Sequence, residues 1–345
     1  MTATIRDISL ATTVSASTVS RVLNGKGRIG ADTRKRVEAA AKKLGYQPRR
    51  PGRPSLSKAV SHIGVIYPKH PNADSDLGGV FAQWMMSTRA KVTADGNHFS
   101  AFAGCHNVSE DSLLKNLVEQ GEVDGLILMG SRTSDGYLPW ALQTRLPLVV
   151  INRRPEHEQF SYVGMDNFGG GRLAAEHLCQ LGHERFAYVD FLSQQSHHKN
   201  RQAGFLQGLQ DHGRKLDAFL QFDPFEPGAT ANSAEAVVQQ VRDAGITGIF
   251  CFNNALARVI EQELVKQEIS VPDDCSLIGF DHLSDLHSPH GRQITTIGCD
   301  ARKIGSYAAQ MVLNLIAARE DKPFLACTVA SELILHDTTG HPPQT

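Results

Sequence analysis

The chain has 345 residues, 41% of them hydrophobic, and a formal net charge of −1. No apolar run reaches the ~20 residues that span a bilayer, and six dispersed cysteines form no Cys-x-x-Cys pair, against both a disulfide scaffold and a zinc ribbon. The near-neutral total hides an asymmetry: residues 1–60 carry thirteen Lys and Arg against three Asp and Glu, a net of +10, which leaves −11 for the rest. A basic head on an acidic body is the footprint of a phosphate-binding module joined to something else.

In chain order, the first signal is a pair of short amphipathic stretches. Ile8 and Ala11 stand a helical step apart, as do Val19, Val22 and Leu23, and Thr12-Thr13-Val14 between them leaves room only for a tight turn. Ser15 is the N-cap candidate of the second stretch, with Thr18 three residues on. Two helices joined this way form a helix-turn-helix. Its second helix presents Ala16, Ser17, Ser20 and Arg21, a surface able to approach base edges in a major groove. A third helix is expected from Asp32 to Leu44, with Val37, Ala40, Ala41 and Leu44 inward, ended by Gly45, Tyr46 and Pro48.

Residues 49–58, Arg-Arg-Pro-Gly-Arg-Pro-Ser-Leu-Ser-Lys, then mark a linker. Pro54 would remove a hydrogen bond from any helix opened by Pro51, so the segment reads as an extended basic arm. Gly52-Arg53-Pro54 resembles the core of arms that place an arginine in a narrow minor groove. A solvated linker touching only phosphates is the other reading.

From Ser61 onward short apolar runs alternate with amphipathic helices: 63–66, 98–102, 125–129, 148–151, 186–189, 248–251 and 276–280. Such strands build parallel sheets covered on both faces, which bind ligands beyond the carboxyl ends of their strands. Gly169-Gly170-Gly171 reads as close helix packing rather than a phosphate cradle, since no other part of a nucleotide fingerprint is present. A nucleophile elbow, a P-loop and a metal-binding His/Glu helix are all missing from the sequence, so neither an enzyme nor a metal or cofactor is expected.

Thr-Val-Ser-Arg-Val-Leu-Asn-Gly at 18–25, Thr-Arg-Lys-Arg-Val at 33–37 and Leu-Gly-Tyr-Gln-Pro at 44–48 resemble the headpiece of the LacI/GalR transcriptional regulators. The resemblance implies an all-α, lambda-repressor-like helix-turn-helix headpiece (1–46), a hinge (47–60) and an effector domain (61–340). That domain would have two doubly wound parallel-sheet lobes like a type I periplasmic binding protein. Lobe one is expected at 61–161 and 295–324, and lobe two at 162–294 and 325–337. Two departures stand out: Thr13 replaces the usual turn glycine, and the hinge carries Pro54, with Leu56 one position late for the family's minor-groove leucine.

On the same resemblance Ala16, Ser17 and Arg21 contact bases of double-stranded operator DNA. Ser15, Thr18, Ser20 and Asn24 contact its backbone, and Arg50, Arg53 and Leu56 its minor groove. A small effector, a sugar or sugar derivative, is expected against Asn152, Arg201, Phe225, Asn253, Asn254 and Asp281. Asp76 lies in a first loop several residues longer than the family's. His177 and His183 are expected inside the second lobe. The whole reads as a cytoplasmic, homodimeric, ligand-switched regulator with no membrane association, most simply a repressor. The alternatives are a solute sensor and a purine-responsive regulator.

Overall fold

The computed structural model describes residues 5–23, 29–44, 60–68, 77–104, 112–129, 137–155, 159–191, 196–222, 233–281, 291–318 and 324–344. The chain divides into two compact units, Met1–Ala59 and Val60–Thr345. Asn24, Arg50, Arg53, Leu56, Asp76 and Phe225 lie outside the described residues, as do the side chains of Ala16, Ser17 and Ser20.

The first unit contains α1 (Ile5–Thr12), α2 (Ala16–Leu23) and α3 (Ala31–Lys43). Their apolar stripes converge on Ile8, Val19, Val22, Val37 and Ala41, the buried centre of this small core. Ser15 caps α2: its Oγ accepts the Thr18 amide at 3.2 Å and lies 2.8 Å from the Thr18 hydroxyl. The turn is left-handed at Thr13, with φ of 52°. It is braced by the Ser9 hydroxyl donating to the Val14 carbonyl (2.7 Å) and by Arg36 reaching the Thr12 carbonyl (3.0 Å) from α3. Two residues expected inside are not. Ala11 is exposed, and Leu44 is 40% exposed because α3 ends at Lys43 and Leu44 is its C-cap, past the last inward turn.

In the second unit the chain runs β1 (His62–Pro68), α4 (Leu77–Ala94), β2 (His98–Gly104), α5 (Ser112–Glu119), β3 (Gly125–Met129), α6 (Tyr137–Thr144), β4 (Leu148–Ile151) and β5 (Ser161–Met165). It continues with α7 (Asn167–Gln180), β6 (Phe186–Asp190), α8 (Ser196–Asp211), β7 (Ala218–Gln221), α9 (Ala234–Asp243), β8 (Gly248–Cys251), α10 (Asn254–Lys266) and β9 (Ser276–Phe280). The last elements are β10 (Thr295–Gly298), α11 (Ala301–Ala317), β11 (Ala326–Val329) and β12 (Glu332–Ile334). Among the described residues two six-stranded sheets form, ordered β11-β5-β4-β3-β1-β2 and β12-β10-β9-β8-β6-β7. Read in chain order within each lobe, the two orders are the same. Each reverses direction at its first strand, the switch point where open α/β sheets bind ligands.

The expected lobe boundaries need correcting. Residues 161–165 form one strand of the first sheet, paired with β4 and β11, rather than a division between lobes. Strand β10 pairs with β9 and so belongs to the second lobe, whereas β11 belongs to the first. The chain therefore crosses near residues 166, 299 and 330, and two crossings are tied together: the Ser331 hydroxyl donates to the Asp166 carbonyl at 3.0 Å. The second sheet is not wholly parallel, since β12 runs antiparallel to β10.

The two lobes repeat one packing device. Asp166 caps α7 and Asp300 caps α11. Five residues past each cap stands a glycine whose added Cβ would collide with the neighbouring helix: Gly171 with the Arg201 carbonyl of α8, and Gly305 with the Trp84 carbonyl of α4. From the α8 side, a Cβ on Gly204 would strike the Phe168 carbonyl. Of the triple glycine, Gly171 is thus the contact of two helices packed backbone to backbone, while Gly170 faces Phe280 and Ile297 of the sheet and Gly169 its own cap, Asp166. The paired helix α8 carries Arg201, so this close approach also sets where that arginine stands.

Candidate functional site

The fourth strand of each lobe ends in a polar residue with left-handed backbone, Asn152 (φ 59°) after β4 and Asp281 (φ 76°) after β9. Each donates its amide to the fifth strand, Asn152 to the Val163 carbonyl (2.8 Å) and Asp281 to the Ile297 carbonyl (2.9 Å). Asn and Asp tolerate this conformation better than most residues. Asn152 and Asp281 therefore occupy equivalent positions at the carboxyl edges of the two sheets.

Between them sits Arg201, 1% exposed. Its Nε donates to Asn167 Oδ1 at 2.8 Å, its Nη1 to the Phe252 carbonyl at 2.6 Å, and its Nη2 to Asp281 Oδ1 at 3.0 Å. The guanidinium also lies over two rings, 4.4 Å from the centre of Phe252 and 3.7 Å from that of Phe280. Asn167, the first residue of α7, donates to the Met165 carbonyl (3.1 Å) and, at 3.5 Å, to Asn152 Oδ1. One polar chain thus runs from Asn152 in the first lobe through Asn167 and Arg201 to Asp281 in the second. Three of the five guanidinium N–H groups are committed, which leaves two.

Asn253 caps α10, its Oδ1 accepting the Leu256 amide at 2.9 Å, while its buried Nδ2 has no partner. Asn254 is engaged at both ends: Nδ2 donates to the Asp281 carbonyl (2.7 Å), and Oδ1 accepts from the Thr296 hydroxyl (3.0 Å). Its amide faces the sheet and holds Asp281 in place. The structure thus brings together Asn152, Arg201, Asn253, Asn254 and Asp281. Arg21 is exposed on α2 in the other unit, and Ser15 and Thr18 form the cap at its start.

The neighbours that sequence reasoning passed over are Asn167, Asp190, His198, Phe252 and Phe280. Three had a signal: Phe252 and Phe280 immediately precede Asn253 and Asp281, and His198 lies one helical turn before Arg201. His198 Nδ1 is 2.7 Å from Asp190 Oδ1, both groups being buried. Burial pushes Asp190 up to about 7 and His198 down to about 3, the nearby Arg201 charge adding to the fall at His198. Burial also holds His197 neutral, well below its ordinary value. Away from this cluster His183 is fully buried between Thr247 (2.9 Å) and Ser276 (2.8 Å), as expected of an interior histidine, whereas His177 is half-buried and meets Thr339 at 3.1 Å.

Residues 4–49 match the family of bacterial regulatory proteins of the lacI type, and residues 175–339 match a periplasmic binding protein-like domain. The HTH-type transcriptional repressor PurR of Pasteurella multocida is 27% identical over 327 residues, covering 93% of this chain and 94% of its own. A lac repressor dimer bound to operator and the anti-inducer ONPF superposes with a TM-score of 0.67 at 24% identity, covering 99% of this chain and 100% of that one. A complex of the transcriptional regulator CelR with cellobiose does so with a TM-score of 0.68 at 22% identity, covering 97% and 99%. The relatives are transcriptional regulators and not enzymes, in line with a sequence that carries no nucleophile elbow, P-loop or metal helix. With the basic three-helix unit and the two-lobed body matched in the same order as in these relatives, the chain belongs to the LacI family of bacterial transcriptional regulators.

Proposed function

We propose that the protein is a cytoplasmic repressor that binds a near-palindromic operator as a homodimer and is switched by a small neutral sugar or sugar derivative between its two lobes. The observation that carries the effector reading is Arg201, buried at the strand ends and held in plane by Asn167, the Phe252 carbonyl and Asp281. Its two remaining N–H groups, the Asn253 amide and the Asn152 amide are donors suited to hydroxyl oxygens. Asp281 supplies an acceptor and balances the arginine charge, which favours an uncharged ligand over an acidic one. The Phe252 ring already has His198 and Arg201 against it, so it offers little to a stacking base. That supports the sugar reading over the purine one, and Phe225 remains the aromatic expected to cover the ligand. Asn254 acts by positioning Asp281.

In the headpiece, Ala16, Ser17 and Arg21 read bases, while Ser15, Thr18, Ser20 and Asn24 fix phosphates. The hinge residues Arg50, Arg53 and Leu56 lie along the minor groove. Ligand favours one closure of the lobes, and a few kcal/mol of differential affinity suffice to shift operator binding.

Fluorescence anisotropy with DNA from upstream of the protein's own gene tests this, with and without neutral sugars, sugar phosphates and purines. Salt-dependent binding to a palindrome that a neutral sugar modulates is the expected result. Response only to a purine or a phosphorylated sugar overturns the effector assignment, and absence of DNA binding overturns the repressor.

A further inference from the structure

Arg201 is one layer of a longer stack. The imidazole of His198 lies parallel to the Phe252 ring, centroids 3.6 Å apart and planes 9° apart. With one ring face covered this closely, the guanidinium takes the other, 4.4 Å from the ring centre, and is itself backed by Phe280 at 3.7 Å. The order is imidazole, phenyl, guanidinium, phenyl. His198 and Arg201 reach the two sides of Phe252 because three residues on one helix place them on the same face, one turn apart.

The outer layer is tethered. Asp190, the last residue of β6, accepts the amide of Phe191 on Oδ1 at 2.7 Å, and the same oxygen meets His198 Nδ1 at 2.7 Å. A carboxyl group and an imidazole buried together are a costly way to fill space, since an apolar ring of equal size would avoid the desolvation. What the pair adds is direction: a hydrogen bond to a strand end sets the plane of a ring that packing alone leaves free to tilt. Supporting groups of this kind hold ligand-contacting side chains in productive geometry.

We propose that His198 is a positioning residue for the effector site: tethered by Asp190, it backs the Phe252 ring and so fixes the plane of the Arg201 guanidinium. The proposal rests on Arg201 being an effector-binding residue, and it concerns a side chain that does not itself touch the ligand. Asp190, Phe252 and Phe280 complete the device, and His197, 4.7 Å from His198 ring to ring, borders it.

The test reads Arg201 directly. In full-length protein labelled with ¹⁵N-arginine, the buried Nε–H bonded to Asn167 should give a slowly exchanging signal, assigned by its loss in Arg201→Lys. His198→Ala should speed its solvent exchange by at least about ten-fold, with His198→Phe intermediate because it restores the ring without the tether. Backbone amides of α8 should keep their protection in both, which separates positioning from loss of structure. Unchanged Nε–H exchange in folded His198→Ala overturns the proposal. Should that variant not fold, unchanged exchange in both His198→Phe and Asp190→Asn overturns it instead. Operator release by cellobiose and by ribose is measured in parallel on the same samples. If neither sugar nor any purine moves wild-type protein from DNA, the effector reading fails while the exchange data still decide the positioning role.

Discussion

Inside the second lobe Asp190 and His198 share a single proton, and the way they share it has a measurable sign. Burial raises Asp190 from 3.8 to about 7 and lowers His198 from 6.5 to about 3. Taken alone, Asp190 contributes stability that is complete below its unfolded value and lost as pH rises through about 7. His198 contributes stability that is complete above about 6.5 and lost as pH falls towards about 3. Between these limits the proton resides on Asp190 in the folded chain and on His198 in the unfolded one, so the two slopes cancel. Asp190→Asn should therefore make stability rise with pH between about 4 and 6, and His198→Phe should make it fall between about 4.5 and 7. Each slope should approach ~1.4 kcal/mol per pH unit. Urea melts across that range check this, and two profiles as flat as the wild type's would count against the shared proton. Arg201→Ala tests the neighbouring layer. It should remove the effector response in the anisotropy assay while operator affinity stays within about two-fold, because the headpiece is untouched. A retained response would move the site elsewhere.

At the scale of elements, the contact between α7 and α8 rests on glycines that no apolar periodicity would single out. Gly204→Ala should cost more than about 2 kcal/mol, since its methyl group meets the Phe168 backbone and not a side chain that can turn away. Gly213→Ala is the contrast. That glycine has nothing around its Cβ position but sits at φ +66°, so its cost should be the smaller one of backbone strain, about 1 kcal/mol. Equal losses in thermal melts would mean that helix approach is not limiting. In the headpiece, Thr13 holds a left-handed turn without glycine's freedom. Thr13→Gly should stabilise the headpiece by about 0.5–1 kcal/mol, read as a rise in its melting temperature, once the added chain entropy of glycine is set against the relieved strain, on the order of 1–2 kcal/mol. A drop would show that the Thr13 hydroxyl bond to the Thr12 carbonyl, 2.7 Å, outweighs the strain.

For the whole molecule, charge is divided along the chain, +10 over residues 1–60 and −11 over the remainder. Operator affinity should fall steeply with salt, with a log–log slope of several units, because each neutralised phosphate releases a counterion. Effector affinity, resting on a charge-balanced pocket, should change little over the same range, and isothermal titration in two salt concentrations measures it. A salt-insensitive DNA affinity would leave the basic head without its proposed role. Sedimentation at micromolar concentration should give a dimer. A monomer that still distinguishes a palindrome from a half-site would contradict the two-fold docking. Among the described residues no helix is long and apolar enough to cross a membrane.

Much of this was legible in the residues themselves. Local chemistry decides a cap, a helical stripe or a β-rich run, and so Ser15, Val19, Val37 and the strands at 125–129, 148–151, 248–251 and 276–280 stand where the sequence placed them. Asn152, Asn253 and Asp281 could be named because the family resemblance places its ligand residues at or just past such strand ends, where these sheets open. Only the tertiary structure decided the rest. The strands Ser161–Met165, Ala218–Gln221 and Thr295–Gly298 are short and weakly patterned, and they become strands because a neighbour offers a ladder to join. Which lobe receives β10 and β11 is decided by pairing, β10 with the nearby β9 and β11 with β5, more than a hundred residues back along the chain. Asn254 looks like a ligand residue beside Asn253, yet its amide turns to Thr296 and Asp281, a direction set by the approach of β9 and β10. The stack of His198, Phe252, Arg201 and Phe280 joins three separate stretches of chain. Sequence determines which groups a residue can offer and what its immediate neighbours do; which of those groups meet is determined by long-range packing.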